Sequence, residues 1–141
     1  DPALLEVIAP RLWNTVLLMG SALALALAIG LPLGIWAAAR EAFADWELNG
    51  SAVDRWHGNL NIRKDGLDVA RLMSDCRQIM FSAGSACASG SGRPSHVLRA
   101  IGLSDRQAKS SIRLGFGRYT SLQDIADAAA IINAAVREQG L

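Results

Sequence analysis

Between Arg11 and Arg40 the chain carries no charged residue, and the 24 residues from Val16 to Ala39 are almost wholly apolar or small. A helix of about 20 such residues matches the hydrocarbon thickness of a bilayer. Gly20, Gly30, Pro32 and Gly34 interrupt the run, and membrane helices tolerate these residues better than soluble ones do. Small side chains at Gly20, Ala24, Gly30 and Gly34 also let a neighbouring helix approach closely. A secretory signal is one competing reading, favoured by three alanines before Arg40, but its apolar region is normally about 7–15 residues, shorter than this one. A buried soluble helix is another, opposed by the length and the missing charges. The expectation is a membrane segment over residues 1–42, with bilayer contact through residues 12–39.

The rest of the chain has a different character, holding all but three of the acidic residues. A net charge of +1 over 141 residues makes no case for a nucleic-acid partner. The two cysteines, Cys76 and Cys87, form no CxxC and have no His or Cys cluster at ligand spacing, so neither a metal site nor a disulfide framework is expected. His57 and His96 stand without an acid or nucleophile at a telling distance and read as surface or capping residues.

A second domain is expected over residues 43–141, and within it periodicity predicts the elements. Asn59–Arg63, Gln78–Ser82 and Ser111–Phe116 alternate polar and apolar residues, the middle one loosely, and read as three short strands. Val69, Leu72, Met73 and Cys76 recur at helical spacing after Asp65-Gly66, predicting an amphipathic helix with Cys76 in the core. Pro94 suits the first turn of a helix carrying Val97, Leu98 and Ile101, with Gly102 at its C-terminal cap. Ser104 and Gln107 read as a capping box. A last helix begins near Thr120 or Ser121 and presents Ile125, Ala128, Ile132 and Val136 on one face. Helices against a small antiparallel sheet make an α+β layer.

Among residues 82–91, six besides Cys87 are Gly or Ser, so this cysteine sits in a loop with wide conformational choice. An accessible thiol with a pKa of about 8.5 supplies some thiolate near neutral pH. Gly84-Ser-Ala-Cys-Ala-Ser89, Pro94-Ser-His-Val-Leu-Arg-Ala-Ile-Gly102 and Ser110-Ser-Ile-Arg-Leu-Gly-Phe-Gly-Arg-Tyr-Thr120 occur in that order and spacing. Together they resemble the C-terminal part of the cysteine desulfurases. The likeness begins near Trp46-Glu-Leu-Asn-Gly-Ser51 and Gly58-Asn-Leu-Asn-Ile62 and continues to the chain end.

The resemblance implies the small C-terminal domain of a fold-type-I pyridoxal-phosphate enzyme, cytoplasmic and dimeric. Its substrate is L-cysteine, and its partner is a sulfur-acceptor or scaffold protein in iron–sulfur cluster or thio-cofactor assembly. Cys87 then corresponds to the nucleophile that takes sulfur as a persulfide and releases alanine. Arg113, alternating with Ile112 and Leu114, faces away from the core and corresponds to the arginine gripping the substrate carboxylate. Asn59 is placed near the mouth of the active site, and Arg118 is assigned a structural role. The family binds its cofactor through a lysine in a Ser-x-His-Lys motif. This sequence has only Lys64 and Lys109, neither in that setting, so no turnover is expected of the chain alone.

The first forty residues carry a second resemblance, to one membrane span of peptide-type transporter permeases. Arg11-Leu-Trp-Asn-Thr-Val-Leu leads there into Ile29-Gly-Leu-Pro-Leu-Gly34. The likeness changes family between Arg40 and Trp46 without a Gly-, Ser- or Pro-rich linker, as in a chimera, a rearranged gene or a fusion. The start at Asp1 rather than Met points to a fragment or processed product. Besides a desulfurase fragment, the open readings are a piece of a permease and a stand-alone persulfide carrier.

Overall fold

The computed structural model describes residues 2–84, 95–117 and 119–141. Helix α1, Pro2–Ala42, runs through the uncharged stretch and carries Pro10 and Pro32 inside it. Each proline removes one hydrogen bond from the helical ladder, but the Leu- and Ala-rich sequence around them has high helix propensity. From Ile8 to Leu33 every side chain is exposed. Apolar on all faces and buried on none, such a helix suits a lipid solvent. By length and composition, Ile8–Ala42 is the one helix among the described residues able to cross a membrane, with a mean hydropathy of 2.3 over its most apolar 18 residues.

The chain divides into two compact units, the first ending at Leu33 and the second Gly34–Leu141. In the second unit Ala39 is buried, and Ile35 and Trp36 pack against the core. The remaining elements are β1 (Glu47–Leu48), β2 (Asn59–Arg63), α2 (Val69–Asp75), β3 (Ser82–Ala83), α3 (His96–Ala100), α4 (Asp105–Lys109), β4 (Ser111–Gly115) and α5 (Leu122–Arg137). This is an α+β unit with an antiparallel sheet in the order β1-β2-β4-β3.

Strict alternation builds the sheet's two faces. Leu60 and Ile62 on β2 and Ile112 and Leu114 on β4 enter the core, while Asn59, Asn61, Arg63 and Arg113 take the other face. Leu72 of α2 and Ile125, Ala129, Ile132 and Val136 of α5 complete the core from the helical side. Trp46 and Phe43 meet edge to face at 5.7 Å. The Trp46 Nε1–H donates to Asn133 Oδ1 at 2.9 Å, and Asn133 Nδ2 donates to the Ala42 carbonyl at 3.2 Å. This polar bolt fixes α5 against the chain around residues 42–46.

Several expectations need correction. The three-stranded sheet has a fourth strand, β1, whose two residues are too short to show alternation. The middle strand is confined to Ser82–Ala83, because Gln78 lies in the turn after α2 and Met80 is 92% exposed. On α2, Val69, Leu72 and Cys76 are buried, but Met73 is 37% exposed. On α3 only Leu98 is buried, with Val97 and Ile101 exposed. That helix is capped by Ser95, whose Oγ accepts from the Leu98 N–H; Pro94 lies outside the described residues. Gly102, at φ 94°, ends it in the left-handed conformation that glycine adopts at least cost. On α5 the buried position is Ala129, with Ala128 half-buried. The Ser104–Gln107 capping box forms, and a second joins Ser121 to Asp124 at the start of α5.

Candidate functional site

Arg113 lies on β4 directly opposite Asn61 on β2 and Ser82 on β3. It is half-buried, and among the described residues no carboxylate pairs with it. Asn59, two residues from Asn61, shares that face. Its Oδ1 is buried with no hydrogen-bond partner among the described residues, and its backbone carbonyl accepts from Arg55 Nη2 at 3.3 Å. Arg113 and Asn59 therefore sit on one polar sheet face. Cys87 and Arg118 lie outside the described residues.

Both chain positions flanking the Cys87 segment are fixed. Gly84 is buried, and its N–H donates to the Ser111 carbonyl at 2.8 Å. A Cβ at Gly84 would stand 2.6 Å from Leu98 Cδ1 and 2.9 Å from Ser111 Cβ. Ser95, where the described chain resumes, is 4% exposed. Leu98 of α3 lies against Gly84 beside β4.

A side-chain network lies behind this spot. Asn49 Nδ2 donates to Asn61 Oδ1 at 2.8 Å and to Ser111 Oγ at 3.0 Å, while Arg63 Nη1 donates to Asn49 Oδ1 at 2.8 Å. Asn61 Nδ2 donates to the Gly84 carbonyl at 3.2 Å, and Arg63 also pairs with Glu47. Sequence reasoning missed Asn49, Asn61 and Ser111 as a group. The alternation over Asn59–Arg63 already placed Asn61 on the same face as Asn59, but the join to Asn49 depends on the unrecognised β1 end.

The other titratable groups do not gather here. His57 meets Trp36 edge to face at 5.1 Å, with Arg55 over the same indole at 5.4 Å, and His96 is exposed on α3. Burial pushes the Cys76 thiol pKa up, with the charges of Asp75 and Glu138 acting in the same direction; a thiol held protonated is a poor nucleophile. A cavity of about 330 Å³ opens between β4 and α5, floored by Phe43, Leu114, Ile125 and Ile131 and flanked by Asp124 and Asp127. Neither Arg113 nor Asn59 lines it. It is an apolar hollow on the core side, separate from the polar face.

No family model matches the chain. A cysteine desulfurase IscS from Colwellia psychrerythraea is 43% identical over 89 residues, 63% of this chain and 22% of that protein. Another from Histophilus somni is 45% identical over 91 residues, and one from Shewanella amazonensis is 42% identical over 89. Part of this chain is homologous to cysteine desulfurases. The chain spans about a fifth of the length of these relatives, 22% in each case.

The desulfurase family implies pyridoxal phosphate, which requires an amine in a cavity able to hold the ring and phosphate. Lys64 follows β2, and Lys109 is exposed at the end of α4. The 330 Å³ cavity is lined by neither lysine nor arginine. The described residues do not fit that group.

Proposed function

We infer that residues 43–141 are the sulfur-accepting and substrate-gripping end of a cysteine desulfurase. Its reaction takes sulfur from L-cysteine, yields L-alanine and leaves a persulfide on Cys87 for iron–sulfur cluster or thio-cofactor assembly. The observation that carries this reading is Arg113, free of ion pairs among the described residues, on the strand whose Ser111 carbonyl holds Gly84 at the start of the Cys87 segment. Identity of 40–45% to cysteine desulfurases supports it independently.

Each residue has a definite part. The Arg113 guanidinium holds the substrate carboxylate through two parallel charge-assisted hydrogen bonds, and its planar fork fixes the orientation as well as the charge. Asn59 offers its unpartnered Oδ1 to a donor on the same molecule, such as the amino group. The Cys87 thiolate forms a bond to the substrate sulfur as the carbon–sulfur bond breaks. That bonding pair goes to the carbon, which takes the thiol proton and becomes the methyl group of alanine, leaving the persulfide anion on Cys87. An electron sink must make that carbon a leaving group. The described residues do not supply one, and no turnover is expected of the chain alone.

The desulfurase part acts in the cytoplasm and passes sulfur to an acceptor or scaffold protein, and the assembled enzyme is a homodimer. For residues 1–42 we favour a membrane tether, on the exposure and composition of Ile8–Ala42; the permease likeness rests on its sequence motif alone. Retention of the full chain in membranes after alkaline carbonate washing tests the tether, and release into the wash would reject it.

The sulfur-accepting role is tested by exposing the full chain to cysteine persulfide and mapping cyanide-labile sulfur. One sulfur atom on Cys87, absent from Cys87→Ser, is the expected result; sulfur on neither cysteine overturns the reading. Alanine formed on adding pyridoxal phosphate and cysteine would overturn the expectation of no turnover.

A further inference from the structure

Two groups of fixed hydrogen-bonding sense bound the network beneath Gly84. Arg63 can only donate, so the Asn49 atom facing it at 2.8 Å is the carbonyl oxygen, and Asn49 Nδ2 must point to Asn61 and Ser111. The Gly84 carbonyl can only accept, so Asn61 must present its NH₂ there and its oxygen to Asn49. Ser111 Oγ donates its proton to the Gln107 carbonyl at 2.7 Å, leaving a lone pair for Asn49. Every member thus has one consistent role. Asn49 is 4% and Ser111 0% exposed; apart from Arg63 Nε, which is buried without a partner among the described residues, the polar groups pair in a way that specifies a single arrangement.

We propose that Asn61 is a positioning residue for sulfur transfer, hooking the Gly84 backbone, where the chain leaves the sheet for Cys87, onto the strand facing Arg113. The role rests on the sulfur-accepting reading of Cys87 and Arg113. It extends that reading to a residue touching neither thiol nor substrate. Asn61 is cross-strand from Arg113 and bonded to Gly84, so one amide sets the origin of the thiol segment relative to the carboxylate grip. A Cβ at Gly84 would already overlap Leu98 and Ser111.

The test is Asn61→Asp in the full chain in detergent micelles. The new side chain keeps an acceptor for Asn49 Nδ2, but at neutral pH it turns a second lone pair toward the Gly84 carbonyl. Protonated, it regains an O–H donor. Among the described residues, the charged groups around it are Arg113 opposite and the Arg63–Glu47 pair beyond Asn49. Gly84 amide exchange should therefore speed up about tenfold relative to wild type at pH 7. It should return to within about twofold near pH 2.9, roughly one unit below the usual carboxylate pKa. Ile132 in α5 reports global opening and should not change. Asn61→Ser, too short to reach Gly84, should show the same acceleration without recovery in acid, and it serves if Asn61→Asp does not fold.

The functional readout compares sulfur uptake by Cys87 from cysteine persulfide and from cysteamine persulfide, which lacks the carboxylate. In each case the thiolate attacks the outer sulfur and releases the donor thiolate. Wild type should prefer the carboxylate donor by about tenfold, the worth of a charge-assisted pair, and Asn61→Ser, which adds no charge opposite Arg113, should lose that preference. Unchanged Gly84 exchange, or exchange that moves only with Ile132, overturns the positioning role. A wild type without donor preference overturns the Arg113 reading while the Gly84 result still judges Asn61.

Discussion

Gly84→Ala asks for one methyl group where the structure has no space. The added carbon would lie 2.6 Å from Leu98 Cδ1 and 2.9 Å from Ser111 Cβ. The first neighbour is the end of a flexible side chain and can rotate away. The second is the first side-chain carbon of a fully buried strand residue, tied by its hydroxyl to Gln107 and Asn49 and by its carbonyl to Gly84 itself. It cannot retreat without breaking those bonds. Overpacking of a closed site costs about 1–3 kcal/mol, and the immobile neighbour puts this case near 2–3 kcal/mol. For a unit of about a hundred residues that corresponds to a melting temperature roughly 10 °C lower. Calorimetry of the full chain in micelles measures it. Adding Leu98→Ala should give a double variant less destabilised than the sum of the two single changes, by about 1 kcal/mol. A Gly84→Ala protein within about 0.5 kcal/mol of wild type, the range of an unconstrained surface change, would refute the packing around the start of the Cys87 segment.

Trp46→Phe removes the Nε1 donor and leaves Asn133 Oδ1 without its partner, so unfolding should cost about 1–3 kcal/mol less, read by denaturant titration of α5 helicity. The Asp124 carboxyl is held below its ordinary pKa of 3.8 by the Ser121 backbone N–H and then by its hydroxyl. A lowered folded pKa stabilises above 3.8 and loses that contribution as pH falls through the folded value. Melting curves of wild type and Ser121→Ala should therefore differ at pH 7 and draw together in strong acid. Iodoacetamide should label Cys87 in the folded chain and spare Cys76, whose thiol is buried and kept protonated; denaturant should open Cys76 to labelling.

The legible parts of the fold are those in which local pattern and tertiary burial agree. Asn59–Arg63 has the bounds of β2, Ser111–Phe116 overshoots β4 by one residue, and the Ser104 capping box closes as its spacing predicts. Where the two diverge, the reading slips. Gln78-Ile-Met-Phe looks like a strand, yet Ile79 N–H donates to the Cys76 carbonyl and the chain turns instead. Val97 and Ile101 are apolar but face outward, because a five-residue helix buries only Leu98. At the candidate site, alternation alone sends Arg113 off the core face. The Asn49–Asn61–Gly84 chain could not be read from sequence, since it joins three separate segments through a strand of two residues.

The central claim is that Cys87 and Arg113 act on one cysteine-derived substrate. Its most direct test is the rate of sulfur uptake from cysteine persulfide relative to cysteamine persulfide, in wild type and in Arg113→Ala. A preference of about tenfold for the carboxylate donor, abolished in the variant without loss of folding, is the predicted result. Equal rates from both donors in wild type, or a preference that survives in Arg113→Ala, would contradict it.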